Sequence, residues 1–256
     1  MVSPMHRFPS FSTSGLRWLL CLALAAFSPS HVEAAEEVSS PETPGMREVS
    51  PGIYQIGKLR LDKSTRTISF PGTLNMNTGL LEYLLVTPQG STHESLLVTP
   101  IQPSDLHFAM LLLGAKGAGI TTPGADQLPP AQINAEYLKT APELRGDPVS
   151  ISVEWRDATG AVKIAPVEDW LFLTDVKKAA PHGPWIYTGS MFSEDRFLAQ
   201  TEGIFASVVT NPSALINNPR KGKENDHVWE VNEKAVPPVK TELEIHIKLE
   251  PNPANP

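Results

Sequence analysis

One short stretch of this sequence concentrates the side chains that could carry out chemistry. Between residues 79 and 107 it places six such side chains within 26 positions: Glu82, His93, Glu94, Ser95, Asp105 and His107. Carboxylates and imidazoles are the groups that enzymes use to move protons, and together they also suit zinc, manganese or non-haem iron. This stretch is therefore the first candidate site.

Two predicted strands would position most of these side chains. Residues 80–87 and 92–99 are rich in apolar and β-branched residues, and the turn-like sequence PQGS at 88–91 separates them. A proline early in a turn with a glycine close behind is typical of a tight connection between antiparallel strands. The sequence therefore predicts a β-hairpin here.

The register of this hairpin decides which polar groups meet. With the turn in place, Glu94 is expected to face Leu84 and to lie diagonally from Glu82 on the same side of the sheet. A slip of one residue would instead bring Glu82 next to His93 and Ser95. In the first register, repulsion between the two carboxylates would raise the pKa of one of them, which is a known route to an acid–base pair.

The sequence leaves the role of these residues open. Glu82 and Glu94 are candidate catalytic groups, and His93 and Ser95 are candidate ligand-binding groups. A divalent metal could be held by His93, Glu94 and His107, although neither His-Glu-x-x-His nor His-x-His occurs in the sequence. The remaining alternative is an ordinary solvated sheet face that has no site.

A second candidate region surrounds a histidine and a tryptophan. The sequence PHGPW at 181–185 places His182 and Trp185 among two prolines and a glycine, which force a rigid turn ahead of a predicted strand. Such a corner can form the rim of a ligand site, with His182 and Trp185 as binding residues. It can equally be a structural corner whose tryptophan lies in the core.

The amino-terminal residues predict where the protein works. Arg7 and Arg17 precede a short apolar run over 18–27, and small residues follow it as far as Ala34. A basic start, a short apolar middle and a small-residue exit are typical of a secretory signal peptide, which we assign to 1–34. A membrane span needs roughly 20 apolar residues. We therefore expect an exported protein, periplasmic or extracellular, without a membrane span after cleavage.

Composition restricts the partners and cofactors. The formal net charge is −7, and nucleic-acid phosphates favour basic proteins, so no nucleic-acid partner is expected. The single cysteine, Cys21, lies inside the predicted signal peptide. The exported chain would therefore have no thiolate ligands for an iron–sulfur cluster. An envelope protein or a small ligand remains the expected partner, and a divalent metal remains the cofactor to consider.

The remaining sequence predicts a single folded domain. Residues 35–50 are acidic and carry Ser and Pro, which indicates a flexible linker. Residues 251–256 (PNPANP) indicate a disordered tail, because proline sustains neither a helix nor a central strand. The folded body is expected at 51–250.

The fold class predicted for this body is α+β. Apolar and polar residues alternate in several segments, most clearly at 149–155 and 242–249, as expected for half-buried strands. Apolar residues recur at helical spacing over 103–113. We therefore expect a mainly antiparallel β-sheet with a few short helices packed on it.

Several sequence strings carry a resemblance to a known family. They are LLEYLLVTPQGSTHESLLVT (80–99), SDLHFAMLLLG (104–114), VEWRDATG (153–160), PHGPWIYTGS (181–190), NPSALINNP (211–219) and WEVNEKAVPP (229–238). Together they resemble the YdjY-like family of exported bacterial proteins. The resemblance implies an envelope protein and supplies no catalytic residue. Some relatives accompany iron–sulfur modules, but this sequence has no cysteine-rich module to which that association could apply.

These observations favour one function and leave an alternative. A predicted signal peptide, a single domain and no complete catalytic motif favour a non-catalytic envelope module that binds a ligand or a partner protein. The alternative is a metal-dependent hydrolase or lyase, with His93, Glu94 and His107 as ligands and Glu82 as general base.

Overall fold

The computed structural model describes residues 45–117 and 144–251. The predicted signal peptide (1–34), residues 35–44 of the predicted linker and residues 252–256 of the predicted tail lie outside the described residues. None of the helices in the two described ranges combines the length and the apolar content that crossing a bilayer would take.

Most of the regular secondary structure in the described residues is β-strand. The β-strands are β1 (Met46–Ser50), β2 (Ile53–Ile56), β3 (Leu59–Asp62), β4 (Thr67–Leu74), β5 (Tyr83–Val86), β6 (Ser95–Val98), β7 (Asp147–Arg156), β8 (Val162–Pro166), β9 (Leu171–Leu173), β10 (Lys178–Ala179), β11 (Trp185–Tyr187), β12 (Phe192–Ser193), β13 (Arg196–Phe197), β14 (Ile204–Ser207), β15 (Ile216–Asn217), β16 (Trp229–Val231) and β17 (Glu242–Leu249). The α-helices are α1 (Pro103–Leu112) and α2 (Leu198–Glu202), and 3-10 turns cover Thr92–Glu94 and Val167–Trp170.

Eight of these strands close into a barrel, which corrects the predicted fold class. Around the ring the order is β4, β17, β7, β11, β15, β14, β5 and β6, and β6 pairs back onto β4. The α+β sheet with helices packed on it was therefore wrong, because the described chain is mainly β with only α1 and the short α2 as α-helices. Alternation along a strand reports that one face is buried. It does not report whether the edges of the sheet meet.

The last strand shows how the sequence fills the barrel. In β17 the apolar residues point inward and are almost completely buried: Leu243, Ile245, Ile247 and Leu249. The intervening polar residues point outward, as the alternation predicted. Three tryptophans, Trp170, Trp185 and Trp229, are the largest fully buried side chains. Burial of this apolar surface provides the main stabilisation of the fold.

Two long strands each belong to the barrel and to an extension of it. One edge of β4 pairs first with β3 and then with β6, so β1 to β3 form a flap beside the barrel. Strand β1 (Met46–Ser50), in which every residue is exposed, belongs to this flap. The sequence had predicted that these residues lie in the flexible linker. Likewise, one edge of β7 pairs with β11 as far as Val149 and with β8 from Ser152 onward. Residues 150–151 therefore lie at a gap along that edge.

The predicted hairpin at 80–99 was also wrong. Strands β5 and β6 are adjacent but parallel, with Tyr83 opposite Ser95 and Leu85 opposite Leu97. The turn does form, since Gly90 N–H donates to the Thr87 carbonyl at 3.0 Å. The chain then passes through a 3-10 turn instead of pairing at once. The strands that flank this pair set the directions of β5 and β6, because β5 runs antiparallel to β14 and β6 runs antiparallel to β4.

Candidate functional site

The parallel pairing places Glu82 beside Glu94, although in another register than the hairpin would have produced. The backbone N–H of Glu82 donates to the carbonyl oxygen of Glu94 at 3.1 Å. Partial burial raises the pKa of the Glu82 carboxyl, and the charges of Glu94 and Asp226 raise it further. Glu82 therefore holds its proton more tightly than an ordinary glutamate does.

The other two members of this cluster differ in accessibility. His93 Nε2 lies 3.6 Å from Glu94 Oε1, with the His93 side chain 74% exposed. Such an exposed pair contributes little to stability. The Ser95 side chain is completely buried, and its hydroxyl donates to the Leu97 carbonyl at 2.9 Å. The Ser95 hydroxyl therefore satisfies a buried backbone carbonyl oxygen, and its side chain has no exposed surface that a ligand could contact.

The structure does not bring His107 to His93 and Glu94. His107 lies in α1, where its Nδ1 is 2.7 Å from the hydroxyl of Tyr187 and its ring is 4.9 Å from that of Phe197. Burial lowers the pKa of this imidazole. Within residues 45–117 and 144–251, no group of three or more His, Cys, Asp or Glu residues could hold a metal ion. The three predicted metal ligands therefore do not converge.

The PHGPW corner separates its two candidate residues. Trp185 is completely buried in the core, where its indole N–H donates to Glu168 Oε1 at 3.1 Å. The guanidinium carbon of Arg220 lies 5.2 Å from the centre of the Trp185 ring. His182 is exposed, and its Nε2 lies 2.7 Å from Asp169 Oδ1. Of the two, His182 alone is open to solvent and so to a ligand.

A buried arginine holds this corner in place. The Arg220 and Glu168 side chains are 7% and 4% exposed, and Arg220 Nη2 lies 2.5 Å from Glu168 Oε1. The remaining donors of Arg220 bond the Gly183 carbonyl (2.6 Å), the Pro181 carbonyl (2.6 Å) and Asn218 Oδ1 (3.1 Å). Burial lowers the pKa of Arg220, while the charge of Glu168 opposes that shift. The guanidinium thus joins three separate segments of the chain.

A groove of about 540 Å³ opens directly beside this corner. We call it the β7 groove; its lining includes Ser150, Ser152, Pro166, Glu168, His182 and Pro184. It lies at the gap along β7, where the pairing with β11 has ended and the pairing with β8 has not begun. A concave, largely apolar site with a few polar groups is the usual form of a small-molecule binding site.

Sequence reasoning identified His182 but missed the pair behind it. Neither Glu168 nor Arg220 was among the candidate residues, since charged residues are seldom fully buried unless paired. The two are 52 positions apart. The only sequence signal was that Glu168 stands in the apolar string PVEDWLFL, which suggests a buried carboxylate in need of a partner.

Removing the Arg220 guanidinium should cost far more stability than removing an exposed arginine. Arg220→Ala would leave Glu168 buried without its cation, and losses of this kind cost about 3–5 kcal/mol in the free energy of unfolding. Arg196 is the control, because its side chain is 61% exposed in its pair with Glu194. Arg196→Ala should change that free energy by about 0.5 kcal/mol or less. Urea titrations measure both.

A double substitution separates the cost of an unpaired buried charge from the cost of lost packing. Arg220→Met combined with Glu168→Gln removes both charges, so it should unfold at a higher urea concentration than Arg220→Ala alone. A double variant that is no more stable than the single variant would contradict the importance of the unpaired carboxylate.

Glu82→Gln should stabilise the protein at neutral pH but not at acidic pH. Folding raises the pKa of Glu82, so the ionised carboxyl is disfavoured in the folded state at every pH above that raised value. The penalty disappears as the pH falls below the usual glutamate pKa of 4.5, where the carboxyl is protonated whether folded or not. Thermal unfolding at both pH values measures the effect, with the exposed Glu224→Gln as control. A stabilisation that persisted at pH 3.5 would contradict this assignment.

Comparison with known proteins places the chain in a family. No match was found among the curated proteins or among the solved structures. One family model does match, that of the YdjY domain, and it covers residues 59–248, well over half of the chain. The match spans the barrel strands from β4 to β17 except for the last residue of β17, the corner at 181–185, and the residues that line the β7 groove apart from Glu250 and Pro251. The family resemblance carried by the sequence strings is confirmed, and the protein belongs to the YdjY domain family.

Proposed function

We propose that this protein is an exported, non-catalytic binding module whose ligand occupies the β7 groove. The observation that carries the proposal is the groove itself, an opening of about 540 Å³ at the gap along β7 between its partners β11 and β8. Its volume is in the range of sites that hold small organic molecules. Family membership alone does not name a ligand.

Rigidity of the walls supports a binding role. The corner that forms one side contains two prolines, and Arg220 bonds the carbonyls of both Pro181 and Gly183 within it. A site held in its bound shape loses less entropy when a ligand enters, which favours affinity. The groove is therefore preorganised by the buried ion pair rather than by loop closure.

The polar cluster around Glu82 supports the enzyme alternative less well. The metal-dependent hydrolase or lyase required His107 to join His93 and Glu94, whereas His107 bonds Tyr187 instead. Burial and nearby carboxylates raise the pKa of Glu82, but the described residues contain no group of three or more His, Cys, Asp or Glu side chains that could hold a metal ion there. We therefore place the ligand at the β7 groove and not at this cluster.

Filling the groove should abolish binding without unfolding the barrel. Ser152 is partly exposed and lines the groove, so Ser152→Phe would occupy the space that a ligand needs. Gln55→Phe is the matched control, since Gln55 lies in the same cross-strand row, four strands away. A fragment library screened by protein-observed NMR should give hits that shift the groove residues in the wild type and in Gln55→Phe only. Hits that bind Ser152→Phe equally well would refute the assignment of the site.

Export has its own test. Expressed in full in a bacterium with an intact secretion pathway, the protein should accumulate outside the cytoplasm with residue 35 at its amino terminus. Intact-mass measurement of the purified protein checks this, because loss of residues 1–34 changes the mass by a defined amount. Replacing Leu20 with Arg would interrupt the apolar run and should leave the uncleaved chain in the cytoplasm. Cytoplasmic accumulation of the unaltered chain would contradict export.

A further inference from the structure

The walls of the β7 groove contain several residues that cannot donate a backbone hydrogen bond. Four of the lining residues are prolines, which have no backbone N–H to offer: Pro148, Pro166, Pro184 and Pro251. They contribute apolar ring surface and carbonyl oxygens only. A ligand that fits these walls must therefore bring an apolar body and supply its own donors.

Most side-chain donors near the groove are already engaged. Arg220 directs its guanidinium at Glu168 and at main-chain and amide oxygens, and the Trp185 indole N–H is bonded to Glu168. The Ser150 hydroxyl donates to Glu250 Oε1 at 2.8 Å. The groove therefore presents acceptors in excess of donors.

The charges around the groove also favour a ligand that donates hydrogen bonds, because they are mainly negative. Glu168 and Glu250 line it, and Asp169 bonds His182 at its rim. Arg220 neutralises Glu168, and Lys248 Nζ lies 3.4 Å from Glu250 Oε2. These three carboxylates have two permanent cations beside them, which favours a ligand that brings a positive charge.

From these observations we propose the chemical class of the ligand: a small organic monocation, with an ammonium group on an aromatic or aliphatic body. The apolar body packs against the proline rings, and the ammonium group donates toward the Glu250 carboxylate. This inference rests on the proposed function, since it assigns a ligand class to the same groove.

Three probes of one shape and different charge test the inference. They are 2-phenylethylamine, 2-phenylethanol and phenylacetate, titrated into the purified protein and followed by shifts of groove resonances in NMR spectra. The amine should bind at least about 10-fold more tightly than the alcohol, since a charge-assisted hydrogen bond is about twice as strong as a neutral one. Phenylacetate should bind most weakly.

A charge-removing variant assigns the effect to one carboxylate. Glu250→Gln should weaken binding of the amine several-fold, roughly the effect of losing one partly exposed charge pair, and leave binding of the alcohol unchanged. Glu242→Gln, an exposed position at the far end of β17, should alter neither. Selective weakening of the amine by Glu250→Gln supports the inference.

Two other outcomes would overturn it in distinguishable ways. If phenylacetate or the alcohol binds in the groove as tightly as the amine, the ligand class is wrong and the binding site stands. If none of the three shifts the groove resonances and library hits ignore Ser152→Phe, both the ligand class and the proposed function fail.

Discussion

The buried ion pair between Arg220 and Glu168 is the interaction on which the candidate site depends. Taking two charges out of water costs free energy, and the pair is tolerated because nearly every donor of the guanidinium is satisfied. In return, a single side chain fixes the 3-10 turn at 167–170, the corner at 181–184 and the segment after β15. An apolar replacement could fill the same volume, but it could not bond carbonyl oxygens on one side and a carboxylate on the other.

The gap beside this pair follows from the way that β7 is shared. A ten-residue strand is longer than its barrel neighbour β11 requires, so the rest of its edge is available to β8. Two partners that approach one edge from separate parts of the chain need not meet. Strand β4 repeats the arrangement with β3 and β6. The openings of this barrel therefore arise from strand lengths that do not match, and side chains then decide what each opening can hold.

Sequence reasoning succeeded where one face of one element decides the outcome. The alternation at 242–249 and 149–155 identified β17 and β7, and helical spacing identified α1 almost to its ends. It failed where distant partners decide. The direction of β6 is set by β4, more than twenty positions earlier in the chain, and no local pattern reports that contact.

The residues of the candidate site also divide into those that a local pattern indicates and those that only a distant partner explains. The sequence predicted that Glu82 and Glu94 lie close together, but it did so from a hairpin that does not form. The two residues are neighbours because the parallel register of β5 and β6 aligns the same two positions. His182 stood out through its prolines, which act locally. Arg220 had no such signal, since a buried arginine in a polar loop looks like any exposed one until its partner is known.

The position of β17 in the ring also constrains how the chain can fold as it is made. This strand is the last of the described strands in sequence, yet it sits between β4 and β7 and forms the longest ladders of the barrel with both. A nascent chain that lacks residues 242–249 therefore has two open sheet edges and no closed core. Contacts of such large sequence separation form slowly. Synthesis proceeds at about 5–20 residues per second, so the ring of strands stays open at least until residues 242–249 have been made and can insert between β4 and β7.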